Sequence, residues 1–413
     1  MTRLSCSIAV LLCGFASAVR AVDAPTVFQT DGRILADARK RLQAGDESIA
    51  KIVKEIKKEA DKALEFKPVS VVDKPFTPPS GDKHDYMSLS PYWWPDSTKP
   101  DGKPYIRKDG QINPERAQYD LEPMEKTADA IGALALGYYF TEDQRYAGKA
   151  AEVIRHWFFD PATRMNPNTK YAQFVPGLDQ VRGAGVIEAN RLRKVVDADG
   201  LLAGSKAWTS EDSTKLKAWF KDLLDYLQTS EQGKKEAAAP NNHGTWYGVQ
   251  TATYALYTGD EPLAKKLIEQ HGRDRIATQI QPDGSQPEEL ARTNGYDYSR
   301  YNILAHVELA ELGQRVGVDL WNYKTDDGRS LRKAIDWLLP YSTGAKKWDY
   351  QQIKPPKMKE TATVLRRAAN GFNEPKYEEA IRKLPDLEGG KPTSLTELYF
   401  PSKLNGGKQT SSR

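Results

Sequence analysis

The stretch that decides the fold is residues 215–227, KLKAWFKDLLDYL. Its apolar side chains recur at intervals of three and four residues, which is the spacing of an α-helix with one buried face. The same spacing is present in residues 150–158, AAEVIRHWF. Gly, Asp and Pro separate such segments, and strands do not alternate with them. The sequence therefore predicts an all-α fold of antiparallel helical hairpins packed in series.

Further helices are predicted on the same grounds over residues 31–66, 123–140, 243–257, 261–279, 299–313, 329–339 and 376–383. Residues 67–80 are rich in proline and cannot continue a helix. Residues 82–123 show neither a helical nor a strand period, which predicts a long structured loop. Loops of this length inside a compact domain are usually functional.

Composition divides the chain into three parts. Residues 1–21 contain a basic residue, an apolar run and then small residues, which is the pattern of a secretory signal peptide. We therefore expect an exported protein, periplasmic or secreted, and no later stretch is long and apolar enough to span a membrane. Residues 22–388 are predicted to form a single domain. Residues 389–413 are predicted to be a C-terminal tail that is partly disordered.

The charge of the chain is nearly balanced, with 60 Lys and Arg against 56 Asp and Glu among 413 residues. No long block of like charges is present, so nucleic acid is not an expected partner. The five histidines lack paired metal-binding spacing. A phosphate-binding loop, a dinucleotide fingerprint and a nucleophile elbow are also missing from the sequence. We therefore expect no metal and no organic cofactor.

Residues 241–247, NNHGTWY, place two amides and an imidazole at a predicted helix start. Asn at such a position is commonly a cap, so a double-Asn cap with a hydrogen-bonded histidine is the structural alternative. The start of a helix also carries partial positive charge. Asn241, Asn242 and His243 could therefore stabilise an anionic group such as a carboxylate.

Residues 285–302, SQPEELARTNGYDYSRYN, place three tyrosines and two arginines in one helical neighbourhood. Asn294, Tyr298 and Asn302 are four residues apart and share a helix face. Helical tyrosines are more often packing residues than acids or bases. Here a nearby arginine could lower the pKa of the phenol and allow it to abstract a proton near neutral pH.

Other aromatic and polar side chains could line a substrate groove. Residues 90–96, SPYWWPD, offer adjacent aromatic rings on which sugar rings could stack, with packing as the alternative. Polar residues between 166 and 188 are weaker candidates. The predicted substrate-binding residues are Tyr92, Trp93, Trp94, Gln173, Arg182, Glu188, Asn241 and Trp246.

Taken together, these motifs resemble the alginate-lyase domain family of polysaccharide lyases, and most closely polysaccharide lyase family 38, which includes alginate and glucuronan lyases. The resemblance covers residues 82–310 and rests on SPYWWPD, DGKPYIRKDGQINPE, NPNTKYAQ, NNHGTWYGVQ, PDGSQPEELART and YDYSRYN. It implies an incomplete (α/α) toroid that cleaves a uronate polymer by β-elimination. It also implies catalytic roles for Asn242 and His243, for Tyr298 as the catalytic tyrosine and for Arg292 as the charge-neutralising arginine.

The implied reaction sets clear chemical requirements. Removal of H5 from a uronate needs a neutralised carboxylate, which is a role for Asn242, Arg292 and protonated His243. In β-mannuronate and glucuronate, H5 and the leaving O4 lie on the same face of the ring. Tyr298 alone could then be base and acid in turn. Guluronate has the opposite C5 configuration, so neutral His243 would be the base there and Tyr298 the acid.

Three alternatives to an alginate lyase remain open in the sequence. The first is a glucuronan lyase of the same mechanism. The second is an (α/α) glycoside hydrolase in which Glu288, Glu289 or Asp297 supplies the paired carboxylates. The third is a non-catalytic protein that binds polyuronate. In each alternative the partner is an anionic polysaccharide or a related glycan. The sequence does not predict an oligomeric state.

Overall fold

The computed structural model describes residues 24–178, 180–385, 387 and 392–403. The predicted signal peptide, residues 1–21, lies outside the described residues. None of the described helices is long and apolar enough to cross a membrane.

The prediction of an all-α fold is confirmed. Within the described residues the helices are α1 (Gly32–Gln43), α2 (Glu47–Leu64), α3 (Leu121–Thr141), α4 (Gln144–Phe158), α5 (Arg193–Leu201), α6 (Ser210–Thr229), α7 (Glu231–Ala237), α8 (Asn242–Tyr257), α9 (Glu261–Gln279), α10 (Pro287–Leu290), α11 (Gly295–Arg315), α12 (Leu331–Ser342), α13 (Met358–Phe372), α14 (Pro375–Ile381) and α15 (Ser394–Tyr399). Three 3₁₀ segments, Val71–Asp73, Pro114–Gln118 and Gly183–Leu192, connect some of them.

The helices pack as successive pairs. Helices α3, α5, α8, α11 and α13 pack one against the next, and α2, α4, α9 and α14 pack against members of this series. The result is the incomplete (α/α) toroid that the sequence resemblance implied.

The two helices that decided the fold bury the faces that their apolar spacing predicted. Phe158 of α4 packs edge-on against Trp219 of α6, with ring centres 4.7 Å apart. Phe220 continues the contact to Tyr254 of α8, with ring centres 5.0 Å apart. Full burial of one large apolar side chain contributes about 1.5–3 kcal/mol, so such faces hold neighbouring helices together.

One predicted helix is divided in the structure, and several helices of the structure, the longest of them α13, were not predicted. Residues 31–66 form two helices because Gly45 adopts a φ of 85° between them, a conformation that a continuing helix does not allow. Helix α13 was not predicted. Its Arg366 and Arg367 are buried and paired with glutamates, so charged residues interrupt the apolar pattern that would have revealed the helix.

The predicted loop at 82–123 contains short strands that place part of the site. Strand β1 (Met87–Leu89) pairs in parallel with β4 (Tyr171–Phe174), and β2 (Trp93–Trp94) pairs antiparallel with β3 (Ile106–Arg107). The first pairing brings the aromatic segment that follows β1 close to the polar residues of β4.

Part of the predicted C-terminal tail packs on the domain. Helix α15 contacts α1 and α2, and the Tyr399 carbonyl accepts a hydrogen bond from Thr30 Oγ1 at 2.7 Å. Glu397 pairs with Arg366 at 3.0 Å. Ordered packing therefore continues beyond residue 388 in this part, while residues 389–391 and 404–413 lie outside the described residues.

Candidate active site

One cleft of about 410 Å³ collects most of the predicted site residues. Its walls come from the segment around β2, from β4, from the 3₁₀ segment at 183–192 and from the start of α8 and α11. The predicted residues that line it are Tyr92, Trp93, Gln173, Arg182, Asn241, Asn242, His243, Arg292 and Tyr298.

Tyr298 lies at the centre of a polar contact within this cleft. Its hydroxyl lies 2.9 Å from the hydroxyl of Tyr92 and accepts a hydrogen bond from Arg292 Nη2 at 2.8 Å. The Arg292 guanidinium carbon also lies 3.8 Å from the centre of the Tyr298 ring. Burial raises the pKa of Tyr298 well above its usual range, although Arg292 acts in the opposite direction. The expected lowering of this pKa is therefore wrong, because loss of hydration outweighs the nearby cation.

Asp109 fixes Arg292 in place. Its carboxylate accepts hydrogen bonds from Arg292 Nε at 3.2 Å and Nη2 at 2.8 Å, and from Thr293 Oγ1 at 3.0 Å. Burial would raise the pKa of Asp109, but its bonds to Arg292 hold it well below the usual range. Asp109 is therefore an anion that orients the guanidinium beside Tyr298, and the sequence did not single it out.

Helix α8 begins at the cleft with the predicted Asn pair. Asn241 is the N-cap, and its side chain accepts from the His243 backbone N–H at 3.2 Å. The backbone and side-chain nitrogens of Asn242 donate to the two carboxylate oxygens of Glu289, at 2.6 and 2.8 Å. Burial raises the pKa of Glu289 to about 7. One hydrogen of the Asn242 amide is thereby used for positioning, and the other remains for a ligand.

His243 pairs with a glutamate that the sequence did not reveal. Its Nδ1 lies 2.7 Å from Glu236 Oε1, and Glu236 is 2% exposed. Burial lowers the pKa of His243, but the Glu236 carboxylate raises it and the net direction is upward. Because a carboxylate accepts, Nδ1 carries a proton and Nε2 is the ring nitrogen left to contact a ligand.

Trp94, which was predicted to bind substrate, does not line the cleft. Successive side chains of a strand point to opposite faces, so Trp93 faces the cleft and Trp94 points away from it. The Trp94 indole donates to the Gln111 carbonyl at 3.0 Å.

Glu188 and Trp246 are also buried outside the cleft lining. Glu188 Oε2 accepts hydrogen bonds from Tyr86 at 2.8 Å and Ser88 at 2.5 Å, and the residue is 6% exposed. Trp246 is 2% exposed and packs on the Tyr301 ring, with centres 4.8 Å apart. The predicted contacts of Glu188 and Trp246 with substrate do not fit these buried positions.

The carboxylates of the hydrolase alternative are not arranged for hydrolysis. Glu289 is held by Asn242, and Asp297 accepts from the Lys357 backbone N–H at 3.0 Å. Glu288 is exposed. Among the described residues, the cleft lining contains one carboxylate, Glu236. Hydrolysis needs two facing carboxyl groups, so this geometry disfavours it.

The cleft is suited to an anionic chain. Four cationic side chains line it, namely Arg107, Arg182, Lys235 and Arg292, and its single described carboxylate is paired with His243. Arg107 and Lys235 were not predicted from the sequence. In the part of the chain that the structure describes, no group of three or more His, Cys, Asp or Glu side chains is placed to hold a metal ion.

Comparison with known proteins identifies relatives. A family model described as alginate lyase matches residues 70–348, more than half of the chain. The crystal structure of an alginate lyase from Bacteroides ovatus is 39% identical, with a TM-score of 0.86 over 91% of this chain and 99% of that chain. No curated protein matches the sequence significantly.

Two further solved structures are similar to this chain at lower identity. A histidine-to-alanine variant of alginate lyase A1-III complexed with tetrasaccharide is 18% identical, with a TM-score of 0.54 over 86% of this chain and 89% of that chain. A structure of alginate lyase A1-III from Sphingomonas species A1 is also 18% identical, with a TM-score of 0.49 over 84% of this chain and 88% of that chain. At 18% identity, the similarity to the tetrasaccharide complex shows a shared fold alone.

Proposed function

This chain belongs to the alginate lyase family and is a polysaccharide lyase, and from that premise we propose that it cleaves alginate by β-elimination in the cleft that contains Tyr298. The observation that carries the proposal is the contact of the Tyr298 hydroxyl with Arg292, in a cleft that Asn242 and His243 also line. A proton-transfer group and donors for a carboxylate therefore face one space.

The first step is removal of the C5 proton. As the C5–H bond breaks, negative charge spreads onto the uronate carboxylate, and hydrogen bonds to that group stabilise it. We assign this role to the free amide hydrogen of Asn242 and to His243 Nε2–H. Glu289 and Glu236 fix the orientation of these two donors from behind.

Tyr298 is proposed as the group that takes this proton. Burial raises its pKa, so the phenol is the resting form and must lose its own proton before it can act as a base. The Tyr92 hydroxyl, 2.9 Å away in the cleft lining, can accept that proton and pass its own to solvent. The phenolate that remains on Tyr298 then takes the C5 proton. Arg292 donates to the same oxygen and stabilises the phenolate while it exists. This assignment places Arg292 on the tyrosine, whereas the sequence resemblance implied contact with the substrate carboxylate.

In the second step the C4–O4 bond breaks and a double bond forms between C4 and C5. The leaving oxygen needs a proton, and Tyr298 has just received one. Both transfers then use the same face of the sugar ring, as in mannuronate and glucuronate. The Glu236–His243 pair favours a protonated histidine, which is a clamp and not a base. We therefore propose that polymannuronate is the preferred part of alginate.

Glucuronan is the second candidate substrate. Glucuronate presents H5 and O4 on the same face as mannuronate does, so the same observation of Glu236 beside His243 supports it. We further propose that the enzyme is exported, which is supported by the signal-peptide pattern of residues 1–21. N-terminal sequencing of protein recovered from outside the cytoplasm would locate the cleavage site, and an intact residue 1 there would contradict export by this route.

The test is a comparison of polymannuronate, polyguluronate and glucuronan as separate substrates. Elimination creates a conjugated double bond that absorbs ultraviolet light, and hydrolysis does not. We expect absorbance to rise on polymannuronate and glucuronan and to stay low on polyguluronate. Falling viscosity without absorbance would indicate hydrolysis, and fastest cleavage of polyguluronate would contradict the single-tyrosine mechanism.

A further inference from the structure

Arg182 is a cation in the cleft that the proposed reaction does not use. Its guanidinium lies 4.8 Å from the centre of the Trp93 ring. Its Nη1 atom is buried and has no hydrogen-bond partner. Within the described residues, Arg182 forms no ion pair, unlike Arg292, which is paired with Asp109. A buried donor of a charged group is costly without a partner, so this geometry points to an anion that comes from outside the chain.

The position of Arg182 is fixed without use of its guanidinium donors. Its carbonyl accepts a hydrogen bond from Gln232 at 3.1 Å. Gly183, the next residue, lies so close to the backbone of Glu236 that a Cβ atom there would be 2.6 Å from the Glu236 nitrogen. The guanidinium carbon lies over the Trp93 ring, and no hydrogen bond to a described residue uses the guanidinium donors. These donors are therefore available to the two oxygens of a carboxylate.

A second cation stands beside Arg182. Arg107 of β3 is the antiparallel partner of Trp93 in β2, so the tryptophan beneath the Arg182 guanidinium also has Arg107 next to it. Burial, together with the charge of Arg107, lowers the pKa of Arg182. Arg107 is itself paired with Asp109 at 2.8 Å. The cation of this position that has no ion-pair partner among the described residues is therefore Arg182.

The position of Arg182 is distinct from Tyr298, the proposed proton-transfer group, but is connected to it through neighbouring residues. Trp93 follows Tyr92, whose hydroxyl lies 2.9 Å from that of Tyr298. Arg292 is engaged by Asp109 and Tyr298, while Arg182 lies on the Trp93 side. A polyuronate carries one carboxylate on every sugar. A chain whose reacting sugar lies at Tyr298 would therefore bring another carboxylate along the same cleft.

We propose that Arg182, which lies over the Trp93 ring and is flanked by Arg107, binds the carboxylate of a second uronate in the same chain, so that the cleft selects polymers with uronates in succession. The inference rests on the proposed function and adds a specificity-determining residue to it. Polymers in which uronates alternate with neutral sugars lack the second carboxylate and are poorer substrates.

The test combines a variant with a chemically altered substrate. The variants are Arg182→Gln and Arg182→Lys, and the substrates are polymannuronate and polymannuronate in which about half of the carboxylates are reduced to alcohols. Reduction removes cleavable sites for every enzyme form, but it removes the second contact only where Arg182 is present. We expect Arg182→Gln to lower kcat/KM on polymannuronate by about tenfold or more, mainly through KM.

The effects of Arg182→Gln and of carboxyl reduction on kcat/KM should not multiply. After Arg182→Gln, carboxyl reduction should cost less activity than it costs the wild-type enzyme, and Arg182→Lys should fall between the two. Arg33→Gln is the control, since that side chain is 85% exposed. If carboxyl reduction lowered kcat/KM by the same factor for the wild type and for Arg182→Gln, the inference would be contradicted. Loss of a residue with only a structural role lowers kcat/KM on both substrates by the same factor.

A binding measurement separates this inference from the lyase proposal. Calorimetry with mannuronate oligosaccharides on Tyr298→Phe needs no turnover, and adding Arg182→Gln to that variant should weaken binding about tenfold or more. If the wild type produced no double bond on any polyuronate and binding still depended on Arg182, the lyase mechanism would fail and the carboxylate site would stand. Unchanged binding would overturn the carboxylate site.

Discussion

Glu236 Oε1 lies 2.7 Å from Nδ1 of His243, and the two side chains form a pair at the wall of the cleft. Burial alone would favour the neutral imidazole. The adjacent carboxylate reverses this, so the pKa of His243 is raised and its protonated form is favoured. The pair therefore supports the proposed role of His243 as a donor to the substrate carboxylate.

The first prediction concerns the pH dependence that this pair creates. The protonated form of His243 is present below its raised pKa and is lost as the pH rises through it, so kcat/KM should fall on the alkaline side. Glu236→Gln keeps a hydrogen-bond acceptor but removes the charge, which leaves burial to lower the pKa of His243. The alkaline limb of the pH profile should therefore move to lower pH.

The control is Glu211→Gln, which removes the charge of an exposed carboxylate whose side chain is 75% accessible. An alkaline limb that does not move in Glu236→Gln would refute the pairing as the cause.

The second prediction concerns Asp109, which holds Arg292. Asp109→Asn removes the charge that orients the guanidinium beside Tyr298. Charge-assisted hydrogen bonds are worth about 1.5–3 kcal/mol, so kcat should fall about 10- to 100-fold. KM should change less, because Asp109 itself does not line the cleft and Arg107, its other partner, keeps its charge. Steady-state kinetics beside Asp101→Asn, an exposed residue of the same loop, would check this. A rise in KM at constant kcat would show that Asp109 acts on substrate binding and not on Tyr298.

The third prediction concerns Glu188, which is buried away from the cleft. Burial raises its pKa to about 7 from an ordinary 4.5, so the folded protein holds this proton more tightly than the unfolded chain. Stability is therefore lost as the pH rises from the unfolded pKa through the folded one, by up to about 3 kcal/mol. Glu188→Gln keeps an oxygen for Tyr86 and Ser88 and should lack this loss.

Thermal or denaturant unfolding at two pH values would check the Glu188 prediction. At pH 8 the variant should be at least as stable as the wild type, and near pH 5 its advantage should shrink. KM should be unchanged, since the side chain does not face the cleft. A clear increase in KM would instead restore the sequence-based prediction that Glu188 contacts substrate.

Much of the fold could be predicted because apolar spacing reports burial directly. The faces of α4 and α6 follow from Val153, Trp157, Trp219 and Leu223, all of which are buried. Helix α13 escaped prediction because Arg367 lies inside the protein, where Glu308 and Glu311 compensate its charge. That compensation comes from α11, and no local pattern around residue 367 indicates it.

The candidate site was predictable in its cleft-facing residues but not in those that support them. Asn242, His243, Arg292 and Tyr298 stand in recognisable motifs, and the structure brings all four to one cleft. Their partners Glu236, Glu289 and Asp109 contact them through tertiary structure, at sequence separations of 7, 47 and 183 residues. Trp94, Glu188 and Trp246 were misplaced because a motif indicates a neighbourhood and not the direction of each side chain.

The most direct test of the central claim is an ultraviolet time course of polymannuronate cleavage by the wild type and Tyr298→Phe, with Tyr323→Phe as a tyrosine outside the cleft. Loss of the proton-transfer group should lower the rate of double-bond formation about 10²- to 10⁴-fold. Binding of mannuronate oligosaccharides should persist, because the phenyl ring keeps its position beside Arg292. The account predicts this loss for Tyr298→Phe and a normal rate for Tyr323→Phe. A Tyr298→Phe variant that forms the double bond at the wild-type rate would contradict it.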